Sequence, residues 1–156
     1  MKGFAKFYIP VSPHIKKFLE AQYGEEYHIS KIDFLGLMLT PFFTKEVRIQ
    51  KKDQGDLTDS VKSELYPISI SFDFFQRQGY FISQDQLKFI GRTLDKYFRE
   101  MLFNHVAVYS NMYGVARRQC IIDFCEIYGI SPEDFDPDSL YRDFKRKQDR
   151  FIKTNV

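Results

Sequence analysis

A capping-box pattern, Ser83 with Gln86 three residues on, opens the longest regular stretch of this 156-residue chain. From Gln84 to about Tyr109 the residues Leu87, Ile90, Leu94, Tyr97, Phe98, Met101, Leu102 and His105 recur at helical spacing along one side. A helix of that length with one apolar side needs other elements to cover it. That requirement sets the frame into which the shorter segments must fit.

Those segments are marked by Pro, Gly and capping residues. Residues 3–9 alternate as a short strand, with Ala5, Phe7 and Ile9 on one face and Phe4, Lys6 and Tyr8 on the other; Pro10 ends it. Ser12 as N-cap and Pro13 at the first helical position lead a helix from His14 to Tyr23, which closes at Gly24. Ser30 with Asp33 resembles a second capping box and starts a strongly apolar helix, Lys31 to about Phe43, with Pro41 near its end. Residues 45–60 are polar and read as a loop with a short strand around Val47 to Ile49. That loop marks a weak subdivision near 45–60 in what otherwise reads as a single domain over 1–156.

Tyr66, Ile68, Ile70 and Phe72 alternate as another strand, which Pro67 assigns to an edge or to a late start. Phe74 to Gly79 reads as a turn or a single helical turn. After the long helix, Ser110, Asn111 and Gly114 mark a join, and the next helix runs from about Val115 to Tyr128. The expected class is α+β and mostly helical. A small sheet packs with about five helices, and the last two make a helix-turn-helix-like pair.

The chain holds 17 Phe and 10 Tyr but no Trp. Most of these rings sit at core periodicity, so they read as core filler rather than as a platform for stacking bases or sugars. The formal net charge is +2, too mild to identify a nucleic-acid binder by itself. The distribution says more. A turn carrying Glu133, Asp134, Asp136 and Asp138 precedes a helix from Ser139 to Lys153. Leu140, Phe144 and Phe151 form one apolar line on that helix. Arg142, Lys145, Arg146, Arg150 and Lys153 fall within an arc of roughly 140° on the opposite side, at about 100° per residue.

This end of the chain resembles a helix-turn-helix. Arg117 to Tyr128 would be the first helix, Gly129-Ile130 the start of the turn, and Leu140 to Lys153 the recognition helix. Arg and Lys suit that role because they pair with guanine edges and phosphate oxygens. The link from Ile130 to Asp138 is longer than the usual three or four residues. Its acids would repel phosphate if they faced it; alternatively Asp136 or Asp138 caps the following helix. The expected function is non-enzymatic DNA binding of a regulatory or accessory kind. Arg142, Lys145, Arg146 and Arg150 form the contacting row, with Arg117, Arg118 and Lys153 as auxiliaries, and a homodimer would pair two half-sites. Two other readings stand beside it: a merely solvated charged face, and a structural or adaptor protein that binds a protein partner.

Residues 3–43 resemble a ribbon-helix-helix in their order of strand, helix and second apolar helix. The resemblance implies a strand that pairs with its twin and turns Lys6 and Tyr8, flanked by Lys2 and Phe4, into the major groove. It also implies that the backbone near Ser30 and Lys31 meets phosphate. A strand packed on the domain's own sheet is the simpler reading.

No Cys-x-x-Cys or His-x-x-x-His spacing occurs, so neither a metal nor another cofactor is expected. Cys120 and Cys125 point about 140° apart on a helix and read as buried free thiols, which suits a reducing, cytoplasmic location. His105 reads as a partly buried histidine on an apolar face. Phosphate-loop, dinucleotide and nucleophile-elbow motifs are absent, and no run is long enough to span a bilayer.

Three groups of residues carry a broader likeness: Phe7-Tyr8-Ile9-Pro10-Val11-Ser12, Tyr23-Gly24-Glu25-Glu26, and Tyr128-Gly129-Ile130-Ser131-Pro132-Glu133-Asp134-Phe135 with Tyr141-Arg142-Asp143-Phe144. In these the chain resembles small uncharacterised proteins of bacterial prophages and mobile elements. The resemblance implies a phage-type regulator or DNA-binding accessory factor and assigns no site residues.

Overall fold

Helix dominates the chain, and one short sheet accompanies it. The computed structural model describes residues 5–45 and 63–154, with side chains as far as Arg150. In order these residues form β1 (Ala5–Val11), α1 (Pro13–Tyr23), β2 (Tyr27–His28), α2 (Phe34–Leu39) with a 3-10 turn at Thr40–Phe42, and β3 (Glu64–Ile70). Then come α3 (Phe72–Gln78), α4 (Gln84–Tyr113), α5 (Arg117–Ile127) and α6 (Pro137–Thr154). The class is α+β as expected, with the small sheet packed with helices. The chain divides into two compact units between Thr93 and Leu94, inside α4. Most of the loop at 45–60, with its short strand, lies outside the described residues.

The first unit is built on a three-stranded sheet in the order β1-β3-β2. β1 runs antiparallel to β3, with Phe7 opposite Ile68 and Ile9 opposite Tyr66. Period-2 alternation places Ile9 and Val11 in the core and leaves Lys6 and Tyr8 exposed. The strand does not stop at Pro10, as the sequence suggested, but continues to Val11. β1 is an edge strand, and there a missing amide hydrogen is tolerated.

The larger correction concerns β3, which is the central strand although it contains Pro67. Ser69 turns its carbonyl toward β2, where it accepts from the Ile29 amide at 3.0 Å. By strand alternation Pro67, two residues earlier, faces the same way. In a parallel pair its missing donor would reach a residue before Tyr27, where β2 has not begun. The proline therefore costs the ladder no bond.

Ser12 and Gly24 bound α1 as expected, and Gly24 adopts φ 89°, a conformation that favours glycine. The next helix starts later than Lys31. Asp33, not Ser30, is its N-cap and accepts from the Gly36 amide at 2.8 Å. The same carboxylate oxygen takes the Tyr27 hydroxyl at 2.5 Å, and that hydroxyl in turn accepts from the Ser30 amide. Burial and the bond to Asp33 push the Tyr27 phenol well above its usual range. Two anchored side chains therefore override a capping box whose acid, three residues after Ser30, is Asp rather than Glu. The supposed turn at Phe74 to Gly79 is the full helix α3, capped by Ser71.

The box at Ser83 and Gln86 forms in both directions: the Ser83 amide donates to the Gln86 side chain at 2.9 Å and the Gln86 amide to the Ser83 hydroxyl at 3.2 Å. α4 then runs through Ser110 and Asn111 to Tyr113. Its first turns lie close to β1, since a Cβ at Gly91 would stand 2.4 Å from the Pro10 carbonyl oxygen.

In the second unit Leu94, Phe98, Leu102 and Val106 of α4 are buried, as are Ile121 and Phe124 of α5 and Leu140 and Phe144 of α6. Phe98 meets Phe124 edge-on at 5.7 Å, and Phe103 meets Phe144 at 4.9 Å.

Gly36 tests the first unit. An added Cβ there would come within 1.5 Å of the Ser30 carbonyl oxygen and 2.7 Å of the Tyr27 hydroxyl. Gly36→Ala should destabilise the protein by about 3 kcal/mol or more, and Asp33→Ala by about 1–2 kcal/mol through the lost cap. Urea denaturation followed by circular dichroism reads both.

Candidate nucleic-acid interface

α6 begins at Pro137 because Asp136 caps it: its side chain accepts from the Asp138 amide at 3.0 Å. Of the two acids the sequence offered as caps, Asp136 takes the role and Asp138 takes another. Leu140 and Phe144 then bury one side of the helix, at 2% and 7% exposure. Phe151 and Lys153 lie beyond the described side chains.

Charged residues flank that buried line. Asp143 receives Arg99 of α4, which also bonds Asp95 at 2.9 Å and lies 5.2 Å above the Phe135 ring. Lys147 pairs with Glu100 and stands 4.3 Å from the centre of the Phe103 ring. Gln148 accepts from Arg117 at 2.6 Å, and the Arg117 guanidinium lies 5.6 Å from the centre of the Phe144 ring. The sequence reading missed Arg99 and Lys147. Their signal was available: at 100° per residue Lys147 falls within about 20° of Leu140, on the docking line. Arg99 follows Asp95 by four residues, a spacing that pairs on a helix.

On the opposite side Arg142, Lys145, Arg146 and Arg150 are all exposed. Arg142 approaches Asp136 at 3.9 Å and Arg146 approaches Asp143 at 3.8 Å, both at the outer edge of ion-pairing distance. Their side chains stay 68% and 75% exposed, so these pairs contribute little and leave donors facing water. Asp138 and Asp149 fall inside the same arc by helical spacing. The positive row is therefore interrupted rather than pure.

The two auxiliaries occupy different positions from the row. Arg118 gives two N–H groups to Asp138, at 3.1 and 3.2 Å, and so links α5 to the first turn of α6. Arg117 holds Gln148 and Phe144, as described. The turn is also engaged internally. The Ser131 amide and hydroxyl both donate to Asp134, at 2.9 and 2.8 Å. Its acids mainly build the bend between α5 and α6, which spans residues 128–136.

Of the two readings of residues 3–43, the sheet shows the simpler one, a strand packed at home, and not the ribbon-helix-helix pairing. β1 pairs with β3 of its own chain, Lys6 bonds Glu26 at 2.8 Å, and α2 has six residues. Hydrophobic alternation in residues 3–9 does not distinguish a strand that pairs with a twin from one that pairs at home.

Cys120 and Cys125 are buried free thiols, as the spacing implied. Burial raises both, and Cys125 reaches about 11. His105 is half-buried between Tyr109 and Phe124, and burial lowers its pKa. Among the described residues no group of three or more His, Cys, Asp or Glu converges to hold a metal ion, and no helix is long and apolar enough to cross a membrane. No family model matches the chain, and neither a curated protein nor a solved structure matches it significantly.

Two outcomes separate the roles of these groups. Arg117→Ala should lower stability by about 1–2 kcal/mol, whereas Lys145→Ala should stay within about 0.5 kcal/mol of the parent in the same urea titration. Cys125 has a folded pKa above its unfolded value, so its contribution is complete below about pH 9 and is lost as pH rises toward about 11. Stability measured across that window should fall less in Cys125→Ala than in the parent.

Proposed function

We propose that the protein binds double-stranded DNA through the outward side of α6, as a regulatory or accessory factor and not as an enzyme. The observation that carries this reading is the exposed row Arg142, Lys145, Arg146 and Arg150 on a helix whose opposite side is buried. A helix anchored on one side and cationic on the other has the shape and charge to enter a major groove. Arg117 and Arg118 drop out of the contacting set in this proposal, because their hydrogen bonds seat α5 against α6. With nine residues between α5 and α6, the pair is not a standard helix-turn-helix, and the proposal rests on the row alone.

Four phosphate contacts imply a log–log salt slope of about −3.6, or roughly 100-fold weaker binding between about 50 and 200 mM salt. A mobility shift on mixed duplex DNA at the two concentrations measures it. The combined change Arg142→Glu, Arg146→Glu and Arg150→Glu should abolish the shift and leave the circular dichroism spectrum unchanged. Asp149→Asn removes a negative charge from the row and should tighten binding about twofold to fivefold, equivalent to about 0.5–1 kcal/mol. A parent protein that shifts no duplex at low salt turns the assignment toward an adaptor with a protein partner.

A further inference from the structure

One face of α4 changes character toward its C-terminal end. Phe103, Ala107, Ser110 and Asn111 follow one another there at helical spacing, and Ala107 and Ser110 are small. They leave open a cleft of about 230 Å³ in the second unit, lined also by Arg117 of α5 and by Phe144 and Gln148 of α6. Close packing elsewhere in protein interiors makes such a space beside large rings uncommon. Its walls are mainly apolar: the ring centres of Phe103 and Phe144 lie 4.9 Å apart, and Ala107 adds a methyl group. Among the described residues that line the cleft, Arg117 carries the one charge and none is acidic.

We propose that this cleft binds a small aromatic monocarboxylate, with its carboxylate on Arg117 and its ring against Phe103, Ala107 and Phe144. Arg117 selects the charge. Its guanidinium is half-buried, lies 5.6 Å from the centre of the Phe144 ring and bonds the neutral side chain of Gln148. Among the described residues no carboxylate pairs with it, whereas Arg99 and Arg118 are held by Asp143 and Asp138. A cation partly removed from water, with only neutral protein partners, is completed by an anion, and the planar fork of arginine matches a carboxylate oxygen for oxygen. The walls select the body of the ligand. Phosphate or acetate would leave the ring faces uncovered, while an aromatic ring can stack on them or meet them edge-on. The space suffices, since an apolar cavity of roughly 150 Å³ holds benzene and the remainder admits the carboxylate. Ser110 and Asn111 offer neutral donors beside it. The inference is independent of what the outward side of α6 binds.

Saturation-transfer NMR on the full chain, with sodium benzoate as the probe up to about 10 mM, tests it. The expected dissociation constant is about 1 mM or tighter, a magnitude in keeping with so small a ligand. Benzamide keeps the ring and the size but not the charge, and should bind at least about tenfold more weakly. Acetate should show no binding over the same range. Ala107→Leu fills the cleft without touching Arg117 and should abolish benzoate binding with an unchanged circular dichroism spectrum. If that variant misfolds, Ser110→Leu fills the space from the same face of α4 and should have the same effect. Arg117→Gln should weaken benzoate about tenfold or more and erase its advantage over benzamide. Benzoate that fails to bind the parent, binds it no better than benzamide, or binds the filled variant as tightly as the parent overturns the proposal.

Discussion

The seating of α6 is the constraint from which the candidate interface follows. Burial of Leu140 and Phe144 removes apolar surface from water and supplies the main attraction, on the order of 2 kcal/mol for each side chain. Burial alone leaves a helix free to roll by a few tens of degrees. The polar contacts on either side limit that roll. Arg99 fixes Asp143 on one flank, Arg117 fixes Gln148 on the other, and Lys147 bonds Glu100 along the middle. With the helix locked about its axis, the arginines and lysine at 142, 145, 146 and 150 stay on its exposed side.

This arrangement sets two groups of cations around α6 with different physics. Arg99, Arg117 and Lys147 lie over aromatic rings, Arg99 and Lys147 pair with carboxylates, and Arg117 bonds an amide. Their apolar stems add packing to their charge. In the outward set Arg142 and Arg146 approach carboxylates only at 3.9 and 3.8 Å and stay largely exposed, so those contacts hold them weakly. Net charge would not reveal the difference, because both sets count equally toward the total of +2.

Much of the local structure could be read from the chain. Ser83 and Gln86 formed their box, Ser12 and Gly24 bounded a helix, and Asp136 capped α6, because each depends on neighbours within four residues. Expectations failed where a distant element decided. Pro67 was assigned to an edge by its missing amide hydrogen, yet it sits in the centre of the sheet because β2 is too short to need that donor. Ser30 lost its capping role to Asp33 because the Tyr27 hydroxyl holds the carboxylate in place. Within the candidate interface, the apolar line and the cationic arc could both be read from helical spacing. The assignment of Arg117 and Arg118 could not, since their partners Gln148 and Asp138 are 31 and 20 residues away.

By itself the sequence determined where helices start and stop, which side of each is apolar, and that the basic residues of the last helix share an arc. These are short-range matters of dihedral preference and periodicity, complete within a few turns of chain. Tertiary structure alone decided which cations remain outward and which strand is central. Those outcomes depend on pairs of groups far apart in the chain, and nothing in local propensity encodes which pair will meet.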